Sequence, residues 1–318
     1  MTHTYESLLA YLTETRMVIG GDKKHGQVVL LAGGSASGKS FATNHFMNGG
    51  DYKMMNSDVI KDFLVKMARA KTKHTTPPRF AAIFPSINKF DLTRPADARH
   101  MHTLVHDMDI ANKKILPSMY PKGERLTSDP LPNIMFERIF GNEAAVQQTT
   151  EWAIGVGYKP ENIHVVWILT HYKEALLQNY KRKERRLFND VLFYTHVEAS
   201  QTMIDIVFKN YAKYNINGDI LVAIGGKGKT YLVGGVPQRG GSESPKKTPN
   251  SGKGTYVSDF KYFRVKKAGV LAIDEAVKGQ VVDWVTRLSP RAGADGSPPK
   301  FDPRIDKQYP ETADRSKQ

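Results

Sequence analysis

Residues 29–46 read VLLAGGSASGKSFATNHF, an apolar run that breaks into glycine and serine and then resumes. The run QVVLLAG at 27–33 is typical of a strand buried on both faces of a parallel sheet. After the break, KSFATNHFM at 39–47 predicts a helix, which the sequence NGGD ends. The stretch therefore predicts a strand, a glycine-rich loop and a helix in direct succession.

The loop between this strand and this helix has the spacing of a phosphate-binding loop: a glycine, four free positions, a second glycine, a lysine and a serine. The residues concerned are Gly33, Gly34, Ser35, Ala36, Ser37, Gly38, Lys39 and Ser40. Glycines let backbone N–H groups curl around phosphate, and the helix that follows presents its positive end. Lys39 is expected to reach the outer phosphates of a nucleotide, and the Ser40 hydroxyl is expected to ligate Mg²⁺.

Strands alternate with helices along the following part of the chain. Further strands are predicted at 52–56, 133–140 and 162–170, and helices at 57–70 and 143–157. Such alternation favours a parallel sheet with right-handed crossovers. The predicted fold class is therefore α/β, with a parallel sheet in a three-layer α/β/α arrangement.

Two carboxylates stand where predicted strands end. Asp58 follows the second strand, at the sheet edge where α/β ligands collect, and a carboxylate there can orient or deprotonate an acceptor hydroxyl. The alternative is that Asp58 or Ser57 caps the next helix. Glu137 ends the apolar run of the third strand, where it can hold magnesium or its water. The alternative there is a surface pair with Arg138.

A basic run, Lys181-Arg182-Lys183-Glu184-Arg185-Arg186, lies within a long charged helix or helical lid predicted at 171–190. On a helix, Arg182, Arg185 and Arg186 share a face. Arginines can clamp a transferring phosphoryl group and neutralise charge in its transition state. The alternative is a solvated charged face.

The histidines and the lack of cysteine limit the metal sites and nucleophiles that this chain can form. His100, His102 and His106 include an i, i+4 pair, but no carboxylate spacing of the zinc-hydrolase type accompanies them. His196 is expected to start a helix or to pack rather than to catalyse. The absence of cysteine excludes disulfides, thiolate metal sites and a cysteine nucleophile.

The net charge of +14 and the pI near 9.6 suggest a polyanionic partner, DNA or RNA among them, although a solubilising excess of charge is the alternative. No apolar run reaches the roughly 18 residues that a membrane span needs. The polar first residues lack the pattern of a secretory signal. We therefore expect no membrane partner and a cytoplasmic location.

The predicted domain organisation has four parts. Residues 1–235 form the main domain, with an N-terminal helix around 5–18 and two strands within 219–235. Residues 236–256 are a flexible linker of low complexity. A small strand and helix follow at 257–290, and 291–318 form a basic, disordered tail.

Taken together, four segments resemble the zeta-toxin and polynucleotide-kinase branch of P-loop kinases, over about residues 27–215. They are GGSASGKS, MMNSDVIKDFL, NIMFERIF and GYKPENIHVVWILTHYKEALLQNYKRKERR. The resemblance implies that Asp58 acts on the acceptor hydroxyl and that Arg182, with Arg185 or Arg186, belongs to the arginine-bearing helix. This sequence has Lys61 where the branch commonly has arginine, and Glu137 where it often has aspartate.

Two shorter resemblances accompany this one. VLFYTHVEASQTM is similar to a segment of bacteriophage-encoded kinases of the branch, and this implies the host cytoplasm if the protein is viral. The loop sequence GGSASGKS is similar to the loop of uridine kinases, but the nucleoside-binding pattern of those enzymes does not follow it in this chain.

The sequence therefore predicts an ATP- and Mg²⁺-dependent phosphotransferase. Asp58, Arg182, Arg186 and Lys39 are the expected catalytic residues; residues 33–40 and Arg185 bind the nucleotide, and Ser40 and Glu137 bind the metal. The acceptor is a hydroxyl of a nucleotide sugar or of a nucleic acid. With a nucleic acid as acceptor, the protein would be a polynucleotide kinase or a modified-base DNA kinase. The alternative class is a non-catalytic module that binds nucleotide or nucleic acid.

Overall fold

The strands of the sheet follow the pattern of apolar runs in the sequence. The computed structural model describes residues 19–20, 25–45, 47, 49–69, 87–107, 130–170, 172–182, 187–225, 261–270 and 272–288. The predicted helix at 5–18, the second strand of 219–235, the linker and the basic tail lie outside these residues. Within them, no helix is both long enough and apolar enough to traverse a bilayer.

Six strands form one sheet in the order β2-β3-β1-β4-β5-β6. They are β1 Val28–Ala32, β2 Lys53–Asn56, β3 Ile134–Glu137, β4 Ile163–Thr170, β5 Ile220–Gly225 and β6 Lys261–Lys266. β1 pairs in parallel with β3 and β4, and β4 pairs in parallel with β5. β6 is antiparallel to β5. The predicted α/β class with a mostly parallel sheet is confirmed.

β1 lies between β3 and β4 in the sheet. From β1 the chain goes to β2 and β3 on one side and then crosses to β4 and β5 on the other. In open α/β sheets, ligands bind outside the carboxyl ends of the strands at such a change of direction. The glycine-rich loop that leaves β1 therefore lies at the position where this class of fold binds its ligands.

The main helices of the described residues are α1 Lys39–His45, α2 Ser57–Arg69, α3 Pro95–Asp107, α4 Glu143–Val156, α5 Tyr172–Lys181, α6 Asn189–Gln201 and α7 Glu275–Leu288. α1, α2 and α4 begin at the predicted residues 39, 57 and 143. A π-helical turn at Thr202–Val207 and a last turn at Phe208–Asn210 continue α6 without a break, since the backbone stays in the right-handed helical region.

One face of the sheet packs against α1. The buried residues of this core are Ile19, Val29, Leu31, Ala42, Met47, Met135, Val166, Ile168, Leu221 and Ala223. Ala42 lies in the middle of α1, and the neighbouring Thr43 hydroxyl is 3.8 Å from the Met135 sulfur. Apolar burial thus holds in place the helix that carries Lys39 and Ser40.

The other face of the sheet packs against α4 and the end of α6. Because successive side chains of a strand point to opposite faces, Phe136 lies opposite to Met135. Its ring meets Trp152 of α4 edge-on, with centroids 5.3 Å apart. On β4, the Trp167 ring meets Phe208 in the same way at 6.1 Å. Helices on both faces complete the three-layer α/β/α arrangement that the sequence predicts.

The described residues fall into two compact units. Residues 19–54, 130–175 and 193–288 belong to the first, and 55–107 and 176–192 to the second. In the second unit, α2 and α3 share an apolar core of Ile60, Leu64, Val65, Ala68, Ile87, Phe90, Leu92, Met101 and Val105. The Arg69 guanidinium donates to the Phe90 carbonyl at 2.6 Å and so joins the end of α2 to this core.

Candidate functional site

The loop between β1 and α1 turns sharply at three positions. The backbone φ angle is 147° at Gly33, 60° at Ala36 and 92° at Gly38. Positive φ costs a glycine little, but it is uncommon for alanine, and such strained residues gather at ligand sites. The loop is closed by a bond from the Ser37 N–H to the Gly34 carbonyl, 3.3 Å long. Its conformation is therefore a strained, tightly turned one.

The Lys39 ammonium lies against this loop. Its Nζ donates to the carbonyl oxygens of Gly33 at 2.9 Å and Gly34 at 3.0 Å. A lysine ammonium has three donors and no acceptor, so it can exchange carbonyl partners for phosphate oxygens when an anion arrives. The structure thus places a cation where the sequence predicts phosphate.

Ser40 and Glu137 are brought together, although 97 residues separate them in the chain. The Ser40 hydroxyl donates to Glu137 Oε1 at 3.0 Å. Glu137 is the last residue of β3, and β3 lies beside β1 with Leu31 opposite Glu137. Because parallel strands end at the same edge of a sheet, Glu137 comes close to the start of the helix that follows β1.

The described residues contain no group of three or more His, Asp and Glu side chains that could hold a metal ion. Magnesium does not need one, since it usually binds through one or two carboxylates together with substrate phosphates and water. One hydroxyl and one carboxylate, as at Ser40 and Glu137, fit that mode of binding. They do not fit a metal held by protein ligands alone.

Two residues of α6 that belong to the first unit, Thr195 and His196, contact the loop. The Ser35 N–H donates to the Thr195 hydroxyl at 3.1 Å, and His196 Nε2 is 2.8 Å from the Ser35 carbonyl oxygen. The Thr170 hydroxyl, at the end of β4, donates to the Ser37 carbonyl at 2.6 Å. The sequence predicts packing for His196 but no contact with the loop for any of these three residues. No local pattern reveals such contacts, because about 130 to 160 residues separate the partners.

The His196 imidazole is almost fully buried, with 4 % of the residue exposed. Removal from water is the main cause that lowers the pKa of His196; the bond to Ser35 raises it and the nearby Lys39 charge lowers it, and together these effects bring the pKa from 6.5 to about 4. The ring is therefore neutral at physiological pH. Since a carbonyl oxygen can only accept, the proton of the neutral ring is on Nε2.

Asp58 belongs to the second unit, in the first turn of α2. Its backbone N–H donates to the Asn56 side chain at 2.7 Å, so Asn56 caps this helix, where the sequence predicts Ser57 or Asp58. The Asp58 carboxylate accepts from Lys61 Nζ at 2.8 Å; the Lys61 side chain is 9 % exposed and that of Asp58 is 40 % exposed. The Asp58 carboxylate is thus solvent-accessible and held by a buried cation.

Arg182 also belongs to the second unit, and it lies just beyond the end of α5. The expected helix over 171–190 ends at Lys181, and Arg182 donates its N–H to the Asn179 carbonyl at 3.2 Å. The Asn179 carboxamide accepts from the Leu187 N–H at 2.9 Å and donates to the Leu187 carbonyl at 2.8 Å. Arg182 therefore lies beyond the end of α5, and Arg185 and Arg186 lie outside the described residues.

The chain matches no protein-family model, and no curated protein matches it. Among solved structures, it is similar to AvrRxo1-ORF1:-ORF2 crystallised with ATP, at 14% identity and a TM-score of 0.47, covering 92% of this chain and 73% of that one. The same complex with sulphate ions gives 12% identity and a TM-score of 0.47, over 92% and 72%. The TM-scores lie below 0.5, so the interpretation of the site rests on its own geometry.

Proposed function

We propose that this chain is an ATP- and Mg²⁺-dependent phosphotransferase that transfers the γ-phosphoryl group to a hydroxyl. One observation carries the proposal: Lys39 and the bonded pair of Ser40 and Glu137 converge at the loop that leaves β1. A cation and a pair of oxygen ligands beside a strained glycine-rich loop are the groups that nucleotide phosphates with magnesium require.

The phosphates of ATP would lie on residues 33–40, with the Lys39 ammonium on the outer phosphates. Ser40 and Glu137 would hold Mg²⁺, which neutralises charge on the phosphate oxygens when it is bound. Their present hydrogen bond, 3.0 Å long, leaves both oxygens facing one another and so available to the same ion.

The remaining roles come from the sequence. Asp58 would orient the acceptor hydroxyl and take its proton as the hydroxyl oxygen bonds to the γ-phosphorus and ADP leaves. Arg182 and Arg186 would neutralise charge on the transferred group, and Arg185 would contact the nucleotide. The exposure of the Asp58 carboxylate, at 40 %, supports a role in contact with a substrate.

The acceptor is a hydroxyl of a nucleotide sugar or of a nucleic acid. The charge of +14 favours the nucleic acid, while the resemblance to the zeta-toxin branch favours the nucleotide sugar. A salt titration separates these classes, because binding to nucleic acid weakens steeply as salt rises, whereas binding of a small acceptor does so only slightly.

A non-catalytic module is the second candidate, and the Asp58–Lys61 pair favours it. A carboxylate that already accepts from an ammonium 2.8 Å away is less available to an acceptor hydroxyl. In that case the chain would bind ATP without transferring phosphate to any acceptor.

The test is to incubate the protein with labelled ATP, Mg²⁺ and panels of nucleotide sugars, nucleosides, DNA and RNA. We expect Lys39→Ala and Asp58→Asn each to lower kcat/KM by about 100-fold or more. Lys209→Ala, which changes an exposed lysine of the last helical turn Phe208–Asn210, is the control. Unchanged transfer in both variants would contradict the mechanism, and ATP binding without turnover in calorimetry would select the non-catalytic module.

A further inference from the structure

Both backbone polar groups of one loop residue, Ser35, are bonded to neighbouring residues of α6. The Ser35 N–H donates to Thr195 Oγ1 at 3.1 Å, and the Ser35 carbonyl accepts from His196 Nε2 at 2.8 Å. Thr195 and His196 are 7 % and 4 % exposed, so water does not compete freely for these bonds. The peptide groups on either side of Ser35 are thereby held from outside the loop.

The His196 ring also touches the loop beside this residue. A Cβ atom added at Gly34 would lie 2.4 Å from both Cγ and Cδ2 of the imidazole, closer than such atoms approach in proteins. The ring therefore packs directly on the Gly34 backbone. Only a residue without a side chain lets the imidazole come close enough to reach the Ser35 carbonyl.

The residue after Ser35 is the strained one. Ala36 has φ of 60°, a conformation that costs an L-residue free energy unless its surroundings impose it. The two bonds at Ser35 fix the chain immediately before this turn. On the other side, Thr170 holds the Ser37 carbonyl. The strained turn is therefore imposed by contacts from β4 and α6 and not by the loop alone.

We propose that Thr195 and His196 are positioning residues for the phosphate loop. They hold the Ser35 peptide in the conformation that receives nucleotide, and so they set nucleotide affinity by acting through Ser35. This inference rests on the proposed function, since it takes residues 33–40 as the nucleotide site. It extends that site to a helix 160 residues further along the chain.

The test uses two pairs of variants in the full chain. Thr195→Val removes the hydroxyl acceptor and keeps the shape, whereas Thr195→Ser keeps the hydroxyl. His196→Met removes the donor, whereas His196→Gln keeps a donor at the position of Nε2. Gln201→Ala, exposed on the same helix, is the control for general effects on α6.

Three quantities are measured: the Kd for ATP with Mg²⁺ by calorimetry, KM and kcat of phosphate transfer, and exchange of the Ser35 amide proton by NMR without nucleotide. We expect Thr195→Val and His196→Met to raise Kd and KM for ATP about tenfold, with a smaller change in kcat. Thr195→Ser and His196→Gln should stay within about threefold of the wild type. Exchange of the Ser35 amide should accelerate in Thr195→Val only.

The outcomes separate this inference from the proposed function. Wild-type Kd values in Thr195→Val and His196→Met would overturn the positioning role and leave the nucleotide site intact. Equal losses in the Met and Gln variants would also overturn it, since packing and not the hydrogen bond would then matter. Failure of the wild type to bind any nucleoside triphosphate would reject the proposed function and this inference with it. If His196→Met does not fold, the Thr195 pair decides.

Discussion

At the scale of single residues, the site contains two kinds of group. Lys39 and Ser40 stand in a local pattern and were predictable from it, and Glu137 was predictable because it ends a predicted strand. The structure brings Ser40 and Glu137 within 3.0 Å of each other. The contacts of Thr195 and His196 with the loop were not predicted, because they depend on how α6 packs and not on any nearby sequence.

The buried His196 predicts a pH dependence of stability. Its pKa is about 4 in the folded chain and 6.5 when exposed, so the unfolded chain binds more protons between these values. The free energy of unfolding should therefore fall as the pH drops from about 6.5 to 4, by about 3 kcal/mol from this group. Denaturant unfolding at several pH values measures the loss.

His196→Gln is the control for this prediction, because it keeps a donor for the Ser35 carbonyl but does not titrate. The difference in unfolding free energy between the wild type and this variant isolates the histidine from carboxylates that also titrate in this range. If this difference stays constant from pH 7 to pH 4, His196 binds protons equally in the folded and unfolded chain, and its pKa is not lowered by folding.

At the scale of helices and strands, local pattern predicted most elements closely. The third strand, the fourth strand and α4 were found within a few residues of their predicted ends. Within the long helix or helical lid predicted over 171–190, the described residues are helical at Tyr172–Lys181 and again from Asn189, and the Asn179 side chain bonds Leu187 between these two helices. The charge pattern alone indicates a helix, but it does not show at which residue the helix ends.

The cap of α4 gives a prediction at this scale. The Asn142 side chain accepts from the Ala145 N–H at 2.9 Å, satisfying one donor of the first helical turn. Asn142→Ala should lower the free energy of unfolding by about 1 kcal/mol. Asn142→Asp keeps an acceptor and adds a charge that suits the helix N-terminus, so it should be neutral or stabilising. Thermal unfolding compares the two, and equal losses would argue against the cap.

At the scale of the whole molecule, distant segments meet around one buried aspartate, Asp219. Its carboxylate accepts from the Gly20 N–H at 2.8 Å and the Ala268 N–H at 3.0 Å, and it lies 3.4 Å from Arg264 of β6. Its backbone N–H donates to His164 of β4 at 2.8 Å. Asp219 thus joins Gly20 and Ala268, which are far apart in the chain, to the sheet.

Removal of this carboxylate should therefore be costly. Asp219→Ala would remove the acceptor of the buried Gly20 N–H and of the half-buried Ala268 N–H, together with the ion pair to Arg264, and we expect the free energy of unfolding to drop by about 3 kcal/mol or more. The matched control is Asp205→Ala, whose carboxylate is 55% exposed and pairs with Lys209; its loss should be below about 0.5 kcal/mol. If denaturant unfolding shows similar losses of unfolding free energy in the two variants, the contacts of Asp219 do not stabilise the first unit as we expect.

The local pattern of the chain is sufficient to predict the strand, loop and helix around residues 33–40, because spacing along the chain controls local backbone and phosphate chemistry. It is also sufficient to predict the α/β alternation and hence the mostly parallel sheet. The contacts of Glu137 with Ser40, of β6 with β5 and of α6 with Ser35 are seen only in the folded structure. These contacts join residues far apart in the chain, and they form only when apolar burial packs the strands and helices together.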